Sequence, residues 1–147
     1  MLPRSNFSGN GPGGEPAAGT RHFQTEIGFK DMTILIVEDN PGVRRLLCRA
    51  VAELATTVHE CSDGCFALAA YMAYQPNVVL MDIRMQTLDG LAATREILHY
   101  DPSARVIIVT DYDDEQLRAA AAEAGARAYF LKQNLTDLAP LVAALAR

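Results

Sequence analysis

Four short apolar runs in the chain each end on a polar residue suited to phosphate or metal. Ile34-Leu35-Ile36-Val37 leads into Glu38-Asp39, Val78-Val79-Leu80-Met81 into Asp82, Val106-Ile107-Ile108-Val109 into Thr110, and Ala128-Tyr129-Phe130-Leu131 into Lys132. Three carboxylates gathered at one place repel one another, and a divalent cation relieves that repulsion. Mg²⁺ suits such a site, because it takes one or two carboxylates together with waters and phosphate oxygens. A carboxylate is also a competent nucleophile toward phosphorus and needs no general base to form an aspartyl phosphate. Mg²⁺ and the Lys132 ammonium would neutralise the charge on the transferred group, while the Thr110 hydroxyl donates a hydrogen bond.

These residues meet only if the four runs are strands of one sheet. Runs this short, rich in Val and Ile and separated by helix-like stretches, read as buried parallel strands, and open parallel sheets bind ligands at the carboxyl ends of their strands. After Asp39, Asn40 is a good N-cap and Pro41 suits the first helical position. Val43, Leu46, Leu47, Val51 and Leu54 then share one face, which predicts a first helix near 41 to 54. Thr56 to Cys61 reads as the second strand. Asp63 caps a second helix through Phe66, Leu68, Tyr71 and Met72 that stops near Pro76. A third helix runs from about Leu91 to His99, and the fourth strand from Arg105 to Val109. An Ala-rich fourth helix follows from Asp113 to Ala124, closed by Gly125, with Asp113, Asp114 and Glu115 in its first turn where the dipole favours them. Pro140 removes one hydrogen bond from the last helix unless it lies in the first turn, so a cap near Asp137 and a short final helix are expected.

Five strands alternating with five helices predict a single-domain, doubly wound α/β fold with a five-stranded parallel sheet in the flavodoxin-like order 2-1-3-4-5. Strands 1 and 3 are then neighbours. Glu38, Asp39 and Asp82 share one crevice, with Thr110 and Lys132 reaching in from the next two strands.

Length and composition narrow the partners. The 147 residues, half of them hydrophobic, suffice for one core without disulfides. A net charge of -5 with scattered basic residues argues against direct nucleic-acid binding. Cys48, Cys61 and Cys65 are an odd set with no second Cys or His pair to complete a zinc site, so free thiols in a reducing cytoplasm are expected. His22, His59 and His99 lie far apart. No window reaches the length of a membrane span, and no apolar signal core opens the chain. Residues 1 to 30 are rich in Gly, Pro and Ser without hydrophobic period and read as a disordered tail preceding a domain over 32 to 147. Their Gly-rich run follows no strand and lacks a Gly-Lys-Ser/Thr ending, which argues against a phosphate loop. Met32, directly before the first strand, is an alternative start.

With these residues in place, the sequence resembles the receiver domain of bacterial response regulators, the CheY-like family, over Met32 to Arg147. Ile34 to Asn40 is similar to the family's acidic first loop, Met81-Asp82-Ile83-Arg84-Met85 to its phosphoacceptor segment, Leu88-Asp89-Gly90 to the turn opening its third helix, and Leu131-Lys132 to its lysine. Among receivers, the middle and end look most like those of LuxR-type regulators. The resemblance implies that a sensor histidine kinase or histidine phosphotransfer protein donates a phosphoryl group to Asp82. It implies that Glu38, Asp39, Asp82 and the backbone carbonyl of Arg84 bind Mg²⁺, and that Thr110 and Lys132 contact the phosphoryl oxygens. Tyr129 matches the aromatic that turns inward as the threonine moves, although a strand tyrosine with a solvated hydroxyl needs no such role. Beyond this self-phosphorylation and a slow autodephosphorylation, no enzymatic activity is implied. The output would be a changed surface on the fourth helix, fifth strand and fifth helix, read by a downstream protein or by a second copy in a phosphorylation-dependent homodimer.

Three departures stand out. Gln133 follows the lysine where proline is usual, so the cis peptide common there is not enforced, a non-proline cis bond costing about 3 kcal/mol. Gln86 replaces another proline four residues past Asp82. Asp111 replaces a small residue after Thr110, and either faces solvent or crowds the approach to the acceptor. Arg84 and Tyr112 occupy the two variable positions that resemble the family's tuners of phosphate lifetime. A receiver-fold binding module that works without phosphate is the competing reading. An aspartyl phosphatase needs a second Asp two residues after the nucleophile, where Arg84 stands, and a dinucleotide site needs a three-glycine turn where Glu38-Asp39-Asn40-Pro41-Gly42 stands.

Overall fold

The computed structural model of the protein describes residues 31–146. The expected tail over 1 to 30 lies outside the described residues. Met32–Arg147 forms one compact unit.

The first strand, β1, spans Thr33–Val37, and a helix α1 follows over Pro41–Ala50. Asn40 caps α1, its Oδ1 accepting from the Val43 N–H at 3.0 Å, and Pro41 occupies the first position, where no N–H is needed. The helix ends earlier than its apolar period suggests. Val51 leaves helical geometry at φ -111, and Leu54 and Ala55 donate back to the Val51 carbonyl in turns. Leu47 and Val51 are buried as expected, whereas Leu46 is 46% exposed, because the stripe is narrower than the run of leucines.

β2 covers Thr57–Cys61 and β3 Val78–Met81, joined through a 3-10 turn at Gly64–Phe66 and the helix α2 over Ala67–Tyr74. Asp63 caps that turn. α3 spans Gly90–Tyr100, β4 Val106–Thr110, α4 Glu115–Ala124, β5 Ala128–Leu131 and α5 Leu138–Leu145. Asp114 is the N-cap of α4, accepting from the Leu117 N–H, so Asp113 and Asp114 precede the helix and only Glu115 lies in its first turn. Gly125 closes it in the left-handed region at φ 102, where a side chain would be strained. Pro140 does fall in the first turn of α5. The Asp137 side chain makes no capping bond, because a 3-10 turn over Lys132–Asp137 runs straight into the helix.

The sheet is parallel in the order β2-β1-β3-β4-β5, as the alternation predicts. β1, β3 and β4 are buried along almost their whole length, since helices cover both faces. One core holds Ile34, Ile36, Leu80 and Val109 against α1 and α5, and the other holds Leu35, Met81 and Ile108 against α2, α3 and α4. All three cysteines are free, and His59 stacks on Tyr74 with centroids 3.5 Å apart. Among the described residues no helix is long and apolar enough to cross a membrane.

Candidate functional site

Parallel register decides what meets at the top of the sheet. Val37 of β1 lies between Cys61 of β2 and Met81 of β3, so the residues just past these strand ends, Glu38, Asp39 and Asp82, emerge side by side. Each offers a carboxylate oxygen, and the three atoms lie within 4.8 Å of one another. Glu38 and Asp82 are buried and Asp39 half-buried. Lys132, one residue beyond β5, places Nζ 2.9 Å from Glu38 Oε1 and 3.1 Å from Asp82 Oδ1.

The electrostatics follow from burial. Burial pushes the Glu38 carboxyl above its ordinary range, the Lys132 bond opposing this and the neighbouring Asp82 charge adding to it. Burial also raises the Asp82 carboxyl, which Lys132 only partly offsets. For Lys132, burial would lower the ammonium, but its bonds and charge pairing with Glu38 and Asp82 outweigh burial and raise it. The cluster is therefore one cation shared between two reluctant anions. Glu38 Oε1 faces the Lys132 ammonium at 2.9 Å. Three converging acids set against that one ammonium leave an excess of oxygen donors and negative charge that fits Mg²⁺.

Second contacts hold the acidic loop. Glu38 Oε2 accepts from the Asn40 N–H at 3.2 Å. Arg44 on α1 donates to the Glu38 carbonyl at 2.7 Å and pairs with Glu60 of β2 at 2.9 Å, a positioning role that no motif in the sequence signals.

On the other rim, Thr110 is buried at the end of β4 and accepts from the Tyr112 N–H at 3.2 Å. The Tyr112 ring lies beneath the Arg84 guanidinium, 4.7 Å from its centroid, and the Tyr112 carbonyl accepts from the Tyr129 hydroxyl at 2.7 Å. Arg118 of α4 stacks over the Tyr129 ring at 4.6 Å. The Tyr129 hydroxyl is thus not free in solvent; it ties β5 to the loop after Thr110. Asp111 is exposed, and lines a cleft of about 240 Å³ together with Lys132, Gln133, Leu135 and the Val43–Leu46–Leu47 side of α1.

The loop from Asp82 to α3 is closed at its base. The Gly90 N–H donates to the Ile83 carbonyl at 2.7 Å, and a Cβ on Gly90 would collide with the Asp82 carbonyl oxygen. Asp63, identified from sequence only as a cap, reaches this loop as well. Its Oδ1 accepts from Cys65 N and Leu88 N, each at 3.0 Å, and its Oδ2 from Thr87 N at 2.9 Å. The sequence gives no sign of the second contact, because the partners are backbone atoms.

The family model of the response regulator receiver domain matches residues 34–145. The chain is 35% identical over 99 residues to the chemotaxis protein CheY of Halobacterium salinarum, covering 67% of this chain and 82% of that one. It is 32% identical over 103 residues to the response regulator GacA of Pseudomonas aeruginosa, covering 67% of this chain but only 47% of that protein. Against the regulatory protein AtoC of Escherichia coli the covered share of the relative falls to 22%. Among solved structures, a LuxR-family two-component response regulator from Aurantimonas superposes with a TM-score of 0.74 at 28% identity, over 80% of this chain and 86% of the other. The signal receiver domain of NarL from Mycobacterium tuberculosis gives 0.74 at 27%, over 80% and 97%.

Proposed function

This chain belongs to the response regulator receiver domains of two-component systems, and from that premise we propose that it accepts a phosphoryl group on Asp82 from a phosphohistidine of a sensor kinase or phosphotransfer protein. The observation that carries the reading is the convergence of Glu38, Asp39 and Asp82 within 4.8 Å, with Lys132 Nζ 3.1 Å from Asp82.

Glu38, Asp39, Asp82 and the Arg84 carbonyl are the groups that would hold Mg²⁺. Bound there, the ion supplies charge neutralisation for the phosphoryl oxygens. An Asp82 carboxylate oxygen attacks phosphorus, an O–P bond forms, the P–N bond to the donor imidazole breaks, and the imidazole keeps the electron pair and takes a proton. Lys132 already sits against Asp82 and moves with the transferred charge onto a phosphoryl oxygen. The Thr110 hydroxyl donates to another.

Thr110 Oγ1 accepts from Tyr112 N, so a Thr110 hydroxyl drawn toward the phosphoryl group pulls on the loop whose carbonyl holds the Tyr129 hydroxyl. Tyr129 and Arg118 therefore carry the change to the α4–β5–α5 face, where a downstream protein or second copy reads it as a population shift. Arg84 over Tyr112 shields the aspartyl phosphate from water.

Incubation with Mg²⁺ and acetyl phosphate, followed by intact mass, tests the reading. A phosphoryl adduct on wild type and none on Asp82→Asn is expected. No adduct, under conditions where another receiver reacts, would overturn it in favour of a receiver-fold module that binds partners without phosphate.

A further inference from the structure

Resting on the receiver reading above, we propose that Asp63 is a positioning residue for the Mg²⁺ site, acting through the Asp82–Gly90 loop by holding the backbone of Thr87 and Leu88. The loop Asp82-Ile83-Arg84-Met85-Gln86-Thr87-Leu88-Asp89 contains no proline and no regular secondary structure, so its shape depends on what grips it. It is gripped in two places. At its base, Gly90 closes on Ile83 and Asp82 with no room for a side chain. At its far side, the buried Asp63 carboxylate takes the N–H groups of both Thr87 and Leu88. Gly64 lets the two segments approach this closely, since a Cβ there would collide with the Leu88 carbonyl.

Between these two anchors lies Arg84, whose carbonyl would complete the ion's ligands. Its guanidinium reaches across to Tyr112. A carbonyl ligand contributes most to ion binding when its orientation is fixed beforehand, because ordering it on binding subtracts from affinity. Asp63 supplies that order from the loop after β2, and does so with charge-assisted bonds to backbone donors, which no substitution within the loop other than proline removes.

Two variants separate this role from helix capping. Asp63→Ser keeps a side chain that can cap Cys65 N but is too short to hold both loop amides, and Asp63→Asn keeps one acceptor oxygen and loses the charge. Mg²⁺ affinity is read by calorimetry, and the acetyl phosphate reaction by intact mass across a Mg²⁺ titration. The expected result for both variants is a weakening of Mg²⁺ affinity on the order of tenfold, the lower end for residues supporting metal ligands. The labelling rate at saturating Mg²⁺ stays within about twofold of wild type, as expected when only ground-state ion binding is lost. A folded Asp63→Ser with wild-type Mg²⁺ affinity would overturn the proposal, and so would a rate loss that saturating Mg²⁺ does not restore.

A third measurement needs no variant. If the clamp favours the ion, the ion must favour the clamp by the same factor, so Mg²⁺ should slow hydrogen exchange at the Thr87 and Leu88 amides of wild type. Unchanged exchange at a saturating concentration overturns the proposal even where both variants fail to fold. A wild type that binds no Mg²⁺ and takes no phosphoryl group overturns the receiver reading instead.

Discussion

Asp63 and Asp82 are equally little exposed, each 7%, and each lies just past the carboxyl end of a strand, yet Asp82 sits deeper in the protein and their carboxyls are shifted in opposite directions. For Asp63, burial alone would raise the carboxyl, but N–H bonds from Cys65, Thr87 and Leu88 outweigh it and pull the value down to about 2. For Asp82, burial wins and Lys132 only reduces the effect. The difference is in depth and in partners. Asp63 is satisfied by backbone donors that cannot leave, whereas Asp82 depends mainly on an ammonium that it shares with Glu38. A carboxylate fully held by the backbone builds structure; one held by a borrowed cation remains able to exchange that cation for Mg²⁺ and a phosphoryl group.

The sharpest way to break this comparison is to make both aspartates asparagine. Asp82→Asn should lose phosphoryl acceptance completely and, without Mg²⁺, unfold at the same or a higher urea concentration, since a strained negative charge has been removed. Asp63→Asn should still be labelled at saturating Mg²⁺ but lose about 1–3 kcal/mol of stability, the usual cost of impairing a buried, charge-assisted hydrogen-bond set. Intact mass and urea midpoints check both arms, and equal destabilisation by the two substitutions would refute the contrast.

Removing the borrowed cation comes next. Lys132→Met leaves Glu38 and Asp82 facing each other unpaired, which should cost about 3 kcal/mol without Mg²⁺, the lower end for breaking a buried pair. Added Mg²⁺ should close much of that gap, because the ion replaces the lost charge. Labelling should fall on the order of 100-fold even with Mg²⁺, since the stabilising charge on a phosphoryl oxygen is gone. A stability gap indifferent to Mg²⁺ would show that Lys132 is a packing residue.

The opposite shifts also carry opposite pH signs. Asp63 titrates near 2 when folded and near 3.9 when unfolded, so its stabilising contribution is complete above about pH 4 and is lost as pH falls through about 2. Glu38 and Asp82, held above their ordinary values, act the other way: their cost is present above their folded values and is relieved as pH falls through them. The stability difference between wild type and Asp63→Asn should therefore shrink as urea melts are taken from pH 4 toward pH 2. A difference that stays constant over that range would contradict the backbone-held assignment.

The sequence made one side of this comparison legible and hid the other. Glu38, Asp82, Thr110 and Lys132 are visible because each follows a short apolar run, and the alternation of such runs with helices pointed to the doubly wound fold. The second contact of Asp63 was invisible because Thr87 and Leu88 contribute only N–H groups, which every residue but proline possesses, and lie 24 and 25 positions away. Arg44 was missed for the same reason, its partner being the Glu38 carbonyl. Helix ends were legible where one side chain stands out as the cap, as at Asn40, but not at Asp114, where three acids in a row hid which of them caps. They were not legible where the backbone simply turns, as at Val51, or where a 3-10 turn takes over from a cap, as at Asp137.

Asp111 offers the smallest effect and a third environment for the same side chain. It is exposed, so water screens it, yet it shares a cleft with Lys132, whose ammonium pairs with Asp82. Two unit charges a few ångströms apart in water interact by only about 1 kcal/mol, and salt reduces this further. Asp111→Ala should thus raise the labelling rate with acetyl phosphate, itself anionic, by about two- to threefold at low ionic strength, a free-energy change below 1 kcal/mol. In about 1 M salt, where screening acts within about 3 Å, the gain should vanish. A gain that survives high salt would mean that the side chain obstructs rather than repels. No gain at any salt would place Asp111 outside the path, leaving the two buried aspartates as the ones whose surroundings matter to the chemistry.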